Sequence, residues 1–260
     1  MMPTLKHFTV FHKWLSVLVG IQLIIWLVTG LYFNLMDANL ASGNEHRVRV
    51  QYDHNLAAFD LISIANVSPS KLEKGDIDAS FDAPVDNPIK VEQIWLLGKP
   101  YYHFVYQVGA HSYQKRDSEL FNAVNGEDVK LSPSQVLTIA EQSYSGSGAL
   151  SKPILRQPPF DDYVAQQNPM WQVDVKDENN TTIYLDEVTG QVLRHVNDDS
   201  RLKALMLKLH FMDYGNTGGF NHWLIICFAV ATLFLSVTGM VWLVELLKRD
   251  LGKITREAGK

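Results

Sequence analysis

Four histidines lie where the chain passes from polar to apolar sequence. His7 and His12 precede one charge-free block, and His210 and His222 precede a second. Imidazole is a standard axial ligand for haem iron, and ionisable residues at membrane depth are functional candidates by default. The competing reading makes each a boundary residue, an amphipathic ring that favours headgroup level. One haem near each face would divide a crossing of about 30 Å into short electron steps. His7 and His12 are five apart, about 140° around a continuous helix, so they cannot both ligate one iron face-on. An inner bis-histidine site would need two chains, for example His12 with its two-fold mate. Between His210 and His222 lie Gly215, Gly218 and Gly219. They permit a sharp turn that returns the chain so that both ligate one outer haem. Four helices from two chains would bury a haem better than two, so a homodimer is expected.

The elements that must carry these histidines are the apolar blocks. Trp14 to Met36 and Trp223 to Val244 contain no charged residue, and each is long enough for a helix to cross a hydrocarbon core of about 30 Å. Block one is longer than the usual apolar core of a cleavable signal, and Asn39-Leu40-Ala41 lacks the small residue a cleavage site needs, so a retained helix is expected. Lys6 and Lys13 precede block one, and Lys248, Arg249, Lys253, Arg256 and Lys260 follow block two, against Glu245, Asp250 and Glu257. The positive-inside rule then puts both termini in the cytoplasm and the middle of the chain in the periplasm of a bacterial inner membrane. Residues 37–205 hold 15 Lys and Arg against 24 Asp and Glu, a net charge of −9.

The blocks also resemble each other. One runs from His12-Lys13-Trp14-Leu15 to Val28-Thr29-Gly30, the other from His222-Trp223-Leu224 to Val237-Thr238-Gly239. Trp to Thr is 15 residues in both, and Gly20 matches Ala229. Boundary tryptophans are common in membrane helices and small residues let helices pack closely. The shared spacing goes beyond both, and opposite directions of crossing make the repeat inverted in topology.

The middle reads as α+β with antiparallel sheet in two units, about 85–150 and 165–200. Lys90 to Leu97 and Pro100 to Tyr106 form a hairpin-like pair around Gly98-Lys99. Ser132 with Gln135 is a capping-box pattern ahead of a helix over Val136 to Tyr144. Trp171 to Val175, Thr181 to Leu185 and Gln191 to Arg194 read as strands, with a turn at Thr189-Gly190. Pro153 to Pro169 reads as a linker or loop. The organisation expected is a first span to residue 36, a periplasmic domain over 37–205, and a connector, second span and basic tail over 206–260.

Asp186-x-x-Thr189-Gly190-x-Val192-Leu193 resembles the PepSY domain pattern. His12 at the start of the first helix, Thr29-Gly30 near its far end and Leu209-His210 before the second resemble the PepSY-associated transmembrane family. That family includes haem-containing inner-membrane ferric and ferric-siderophore reductases. The resemblance implies a membrane α+β protein with haem b, one or two per chain or shared in a dimer, and His12 and His210 as ligands. His222 rests on the internal repeat as well, and His7 is the alternative inner ligand. Larger members have four or more spans where this chain has two. No G-x-G-x-x-G strand–turn–helix is present, so electrons would arrive from a membrane quinol or a separate reductase and leave for periplasmic ferric iron or a ferric chelate.

The chain's 260 residues carry a net charge of −5, with no basic stripe to neutralise phosphates, which argues against nucleic acid as a partner. One cysteine, Cys227, excludes a disulfide framework and any cysteine-based zinc or iron–sulfur site. His46, His54, His103, His111 and His195 read as surface or packing residues, with His103 and His111 the reserve candidates for contacting iron across a hairpin. The competing functions are a membrane-anchored inhibitor or sensor without catalysis and an accessory subunit of a larger oxidoreductase.

Overall fold

The computed structural model describes residues 3–50, 55–67, 88–215 and 222–258. These residues fall into two compact units, Asp37–Lys203 and the pair of segments Met1–Met36 and Ala204–Lys260.

The first unit is α+β. Strands β1 (Lys90–Leu96), β2 (Lys99–Gln107) and β3 (Asp117–Asn122) form an antiparallel sheet in that order. Helix α1 of the other unit precedes them in the chain, so the helix that follows β3 is α2 (Pro133–Ser143). The second sheet has β4 (Ala149–Leu150), β6 (Met170–Lys176), β7 (Thr182–Asp186) and β8 (Val192–Val196) in line, with β5 (Ile154–Arg156) also on β6. Its pairings are all antiparallel.

Local chemistry accounts for these elements. The alternation of β2 sends Tyr102, Phe104 and Tyr106 into one cluster with Phe121 and Ala123, while Tyr101 joins the main core. The β1–β2 connection is the two residues Leu97 and Gly98, both left-handed at φ 50° and 74°, the twist a two-residue hairpin requires. Leu97 accepts that backbone because its side chain packs against the main core. The capping box is present: Ser132 accepts from Gln135 N, and the Gln135 side chain returns to Ser132 N. Pro133 occupies the first turn, so α2 begins three residues before the expected Val136. The expected linker from Pro153 to Pro169 is corrected in part. Ile154–Arg156 pairs with the edge of β6, a position where flanking prolines cost no ladder bond. Asn168, in the same stretch, donates to Gln114 O and accepts from Arg116 N.

The Asp186-x-x-Thr189-Gly190 motif proves to be a structural pin. Asp186 Oδ1 accepts from Val188 N, Thr189 N and the Thr189 hydroxyl at 3.1, 2.8 and 2.9 Å. Its other oxygen pairs with Arg116, next to β3, so one carboxylate ties the two sheets together. Burial pushes the Asp186 carboxyl up, but Arg116 and Thr189 more than offset it and hold it below the usual range. Gly190 has φ +65°, and a Cβ there would meet Leu131, Ile139 and Leu96 at 2.9–3.2 Å. Core residues from both sheets and α2 close over this turn.

The second unit contains α1 (Pro3–Leu35), the end of α3 (Asp198–His210) from Ala204 onward, and α4 (Trp223–Ala258). Val10–Leu35 and Trp223–Leu251 are the long apolar stretches, 26 and 29 residues, or about 39 and 43 Å of helix. Both exceed the hydrocarbon core of about 30 Å. The exposure pattern is inside out. Leu27 and Leu31 of α1 are 73% and 59% exposed, while Gln22 and Thr29 are 5% and 1%. A Cβ added at Gly20, Gly30 or Gly239 would have nothing within 4 Å, so none of the three marks a close helix contact among the described residues.

Removing the Asp186 carboxylate leaves Arg116 without its partner and three turn donors without an acceptor. Asp186→Ala is expected to destabilise the β-sheet unit by about 3–5 kcal/mol. Urea unfolding of the detergent-solubilised chain, followed by tryptophan fluorescence, measures it. A loss below about 1 kcal/mol, the scale of an exposed ion pair, would remove the pin from the account of the fold.

Candidate functional site

Helix α3 stops at His210 because Met212 turns left-handed at φ 55°, with its side chain only 3% exposed. The backbone just past the helix end donates to Leu207 O, Lys208 O and Leu209 O, from Phe211, Asp213 and Met212 N. A stripe on α1 adds further donors. Gln22 Nε2 donates to Leu209 O at 3.4 Å, and Trp26 Nε1 donates to His210 O at 2.6 Å. One turn further, Thr29 Oγ1 lies 2.8 Å from His210 Nδ1. The Phe33 ring meets the imidazole edge-on at 5.7 Å. Positions 22, 26, 29 and 33 recur at helical spacing on one face. Polar and aromatic types at that spacing inside an aliphatic block are the signal that could have found Gln22 and Trp26.

At the other end His12 belongs to the third turn of α1, since the helix starts at Pro3. Its Nε2 is 3.1 Å from Thr238 Oγ1 on α4, and its ring lies 4.8 Å from that of Trp242. Ser16 Oγ is 3.4 Å from Nδ1 and donates to His12 O at 2.7 Å. About 25 Å of helix separates His12 from Thr29.

The alignment of the two blocks matches His12 with His222. The hydrogen bonds draw a different equivalence, because the threonine of each Val-Thr-Gly meets His210 and His12. His222 instead donates from Nε2 to Phe211 O at 2.7 Å, which brings it to the same end as His210. The glycine-bearing connection between them, residues 216–221, lies outside the described residues. His7 is on α1, with its side chain outside what is described.

In the β-sheet unit a cavity of about 1470 Å³ opens between the edge of β1 and the β7–β8 turn. Arg47, Arg49, Arg116, Glu92 and His103 line it, so it does not share the acidity of the segment as a whole. His103 is 5% exposed, with Nδ1 3.2 Å from Glu92 Oε1. Burial pushes its pKa down against the pull of Glu92. His111 is exposed in the β2–β3 loop, stacked on Tyr113 at 5.2 Å, and does not line the cavity. The structure therefore does not gather the two reserve candidates in that cavity. Among the described residues no group of three or more His, Cys, Asp or Glu is placed to hold a metal ion. His46 meets Tyr144 edge-on at 5.7 Å, and His54 lies outside the described residues.

A family model described as "PepSY-associated TM region" matches residues 9–260. No curated protein and no solved structure matches the chain.

His195 is fully buried on β8. Ser143 Oγ donates to Ala140 O at 2.8 Å, so it accepts at 3.1 Å from His195 Nε2. Nδ1 has no partner. Burial, with the positive charge of Arg47, pushes the imidazole down to about 4. Between that value and the ordinary 6.5 or so, the unfolded chain binds a proton that the folded one refuses. Stability is thus whole above about pH 6.5 and declines as pH falls toward 4, by about 3 kcal/mol from this group. Urea titrations at half-unit pH steps, wild type against His195→Asn, check it. The difference between the two should slope through that window and flatten above it; a constant difference would show that His195 does not titrate with folding.

Proposed function

We propose that this chain, which belongs to the PepSY-associated TM region family, is a haem b-binding membrane oxidoreductase that passes electrons across the bilayer to ferric iron or a ferric chelate. The observation that carries the proposal is His210. It stands at the end of a helix packed on a span-length helix, with its backbone and Nδ1 both held and no hydrogen bond on Nε2 among the described residues. Each Val-Thr-Gly places a glycine with open surface beside the threonine that meets a histidine, which leaves room for a flat macrocycle or a second copy's helix. His210 offers an open Nε2; His222 at the same end and His12 at the other, with His7 the alternative to His12, would join it as ligands by exchanging the Nε2 contacts to Phe211 O and Thr238 Oγ1 for iron.

A bound haem supplies reversible one-electron storage. The protein's part is to ligate, to orient and to keep the carriers in low-dielectric surroundings. Ligand ends about 25 Å apart along α1 divide the crossing, so that each electron step is shorter than the membrane is thick. One electron from a membrane quinol or a separate reductase converts one ferric ion to ferrous on the far side. The flanking lysines and arginines favour both termini in the cytoplasm and residues 37–205 in the periplasm of an inner membrane. Few residues in the apolar stretch of α1 and none in that of α4 are buried in a single copy, which supports a homodimer that covers the haem from both sides.

Absorption spectra of the detergent-purified chain, oxidised and then dithionite-reduced, test this. A b-type spectrum with haem near stoichiometric with the chain is expected, and His210→Ala should remove most of it. A colourless protein from haem-replete cells would overturn the proposal and leave an anchored inhibitor or sensor to be tested.

A further inference from the structure

Each of the two Val-Thr-Gly segments sets a threonine hydroxyl against a histidine ring from another helix. A hydroxyl has one proton to donate and lone pairs that accept. At Thr29 two carbonyls and one ring nitrogen lie within reach of that proton. Oγ1 lies 2.7 Å from Ile25 O and 3.2 Å from Trp26 O, and carbonyl oxygens only accept. Donation to the carbonyl one turn back is a common state of threonine within a helix. With the proton on that carbonyl, the 2.8 Å contact with His210 has Nδ1–H donating and Oγ1 accepting. Neutral imidazole carries one N–H, so Nε2 keeps a bare lone pair. Nε2 is also the ring nitrogen farther from the backbone, the one that reaches a metal with least crowding.

The opposite end shows that this outcome is not automatic. Thr238 Oγ1 likewise lies 2.8 Å from Phe234 O and 3.2 Å from Leu235 O. It too meets a ring, but at Nε2 of His12, 3.1 Å away, while His12 Nδ1 lies 3.4 Å from Ser16 Oγ. The same motif thus engages opposite ring nitrogens at its two ends, and among the described residues His210 is the one whose Nε2 is left open.

We propose that Thr29 is a positioning residue that fixes His210 as the Nδ1–H tautomer and so presents its Nε2 lone pair to iron, an inference that rests on the haem reading above. A donor hydrogen bond from Nδ1 also makes the ring a more basic ligand, which favours ferric over ferrous iron. Trp26 and Phe33 hold the backbone and ring of His210 but accept nothing from Nδ1, so the tautomer depends on Thr29.

Thr29→Val keeps the shape and removes the acceptor; Thr29→Ser restores it. The first readout needs no haem: nitrogen-15 NMR of the histidine-labelled, haem-free full chain, with the His210 signal assigned by its loss in His210→Gln. Wild type and Thr29→Ser should show the Nδ1–H form, and Thr29→Val a mixture or the Nε2–H form. In the haem-loaded chain, Thr29→Val should hold haem about 10-fold less tightly and shift the midpoint potential positive, with Thr29→Ser close to wild type. A Thr29→Val chain with wild-type tautomer, haem retention and midpoint would overturn the inference. A wild-type chain that takes up no haem would overturn the proposed function instead, and the NMR result would still decide whether Thr29 sets the tautomer.

Discussion

Lipid tails are as apolar as leucine, so two apolar helices in a bilayer gain little by touching through their aliphatic faces. What can hold them is the small set of polar groups that hydrocarbon cannot satisfy. In the helical unit these are Gln22, Trp26 and Thr29 on α1, the end of α3, and the His12–Thr238 contact to α4. This constraint explains why α1 buries Gln22 and Thr29 and exposes its leucines. It also places the histidines. His12, His210 and His222 are each paired because an imidazole at that depth needs a partner, and the partners are a hydroxyl or carbonyl of a neighbouring segment.

The β-sheet unit follows the opposite solvent logic. Its core is aliphatic and aromatic, contributed by both sheets and α2, and its buried polar groups serve as pins within it. Asp186 is the clearest: a buried carboxylate with Arg116 on one oxygen and a turn's donors on the other. Such a group is costly to bury and tolerable only when fully paired. The Asp-x-x-Thr-Gly signature is therefore explained by folding, and it needs no ligand to account for it.

The two units also treat their histidines differently. His195 and His103 are buried, neutral by desolvation, and tied to Ser143 and Glu92. His210 has one nitrogen held and one open, the condition that suits a ligand better than a packing residue. Composition alone does not separate these cases, since all are histidines beside apolar sequence.

Much was legible in the chain because it depends on neighbours a few residues apart. Charge-free runs near Trp14 and Trp223 are helices because length and hydropathy leave no alternative in lipid, and Ser132 with Gln135 caps α2 through atoms three residues apart. The hairpin, the three strands around Thr189-Gly190 and the repeat of Val-Thr-Gly were open to the same kind of reading. The pairing of the histidines was not. Alignment of the blocks points from His12 to His222, yet the hydrogen bonds join Thr29 to His210 and Thr238 to His12 across 181 and 226 residues of sequence. Spacing along the chain determined which residue types stand at the ends of the spans. Which ring nitrogen meets a hydroxyl, and which is left for chemistry, was decided only when α1, α3 and α4 came together, because a hydrogen bond is sensitive to tenths of an ångström that no local pattern encodes.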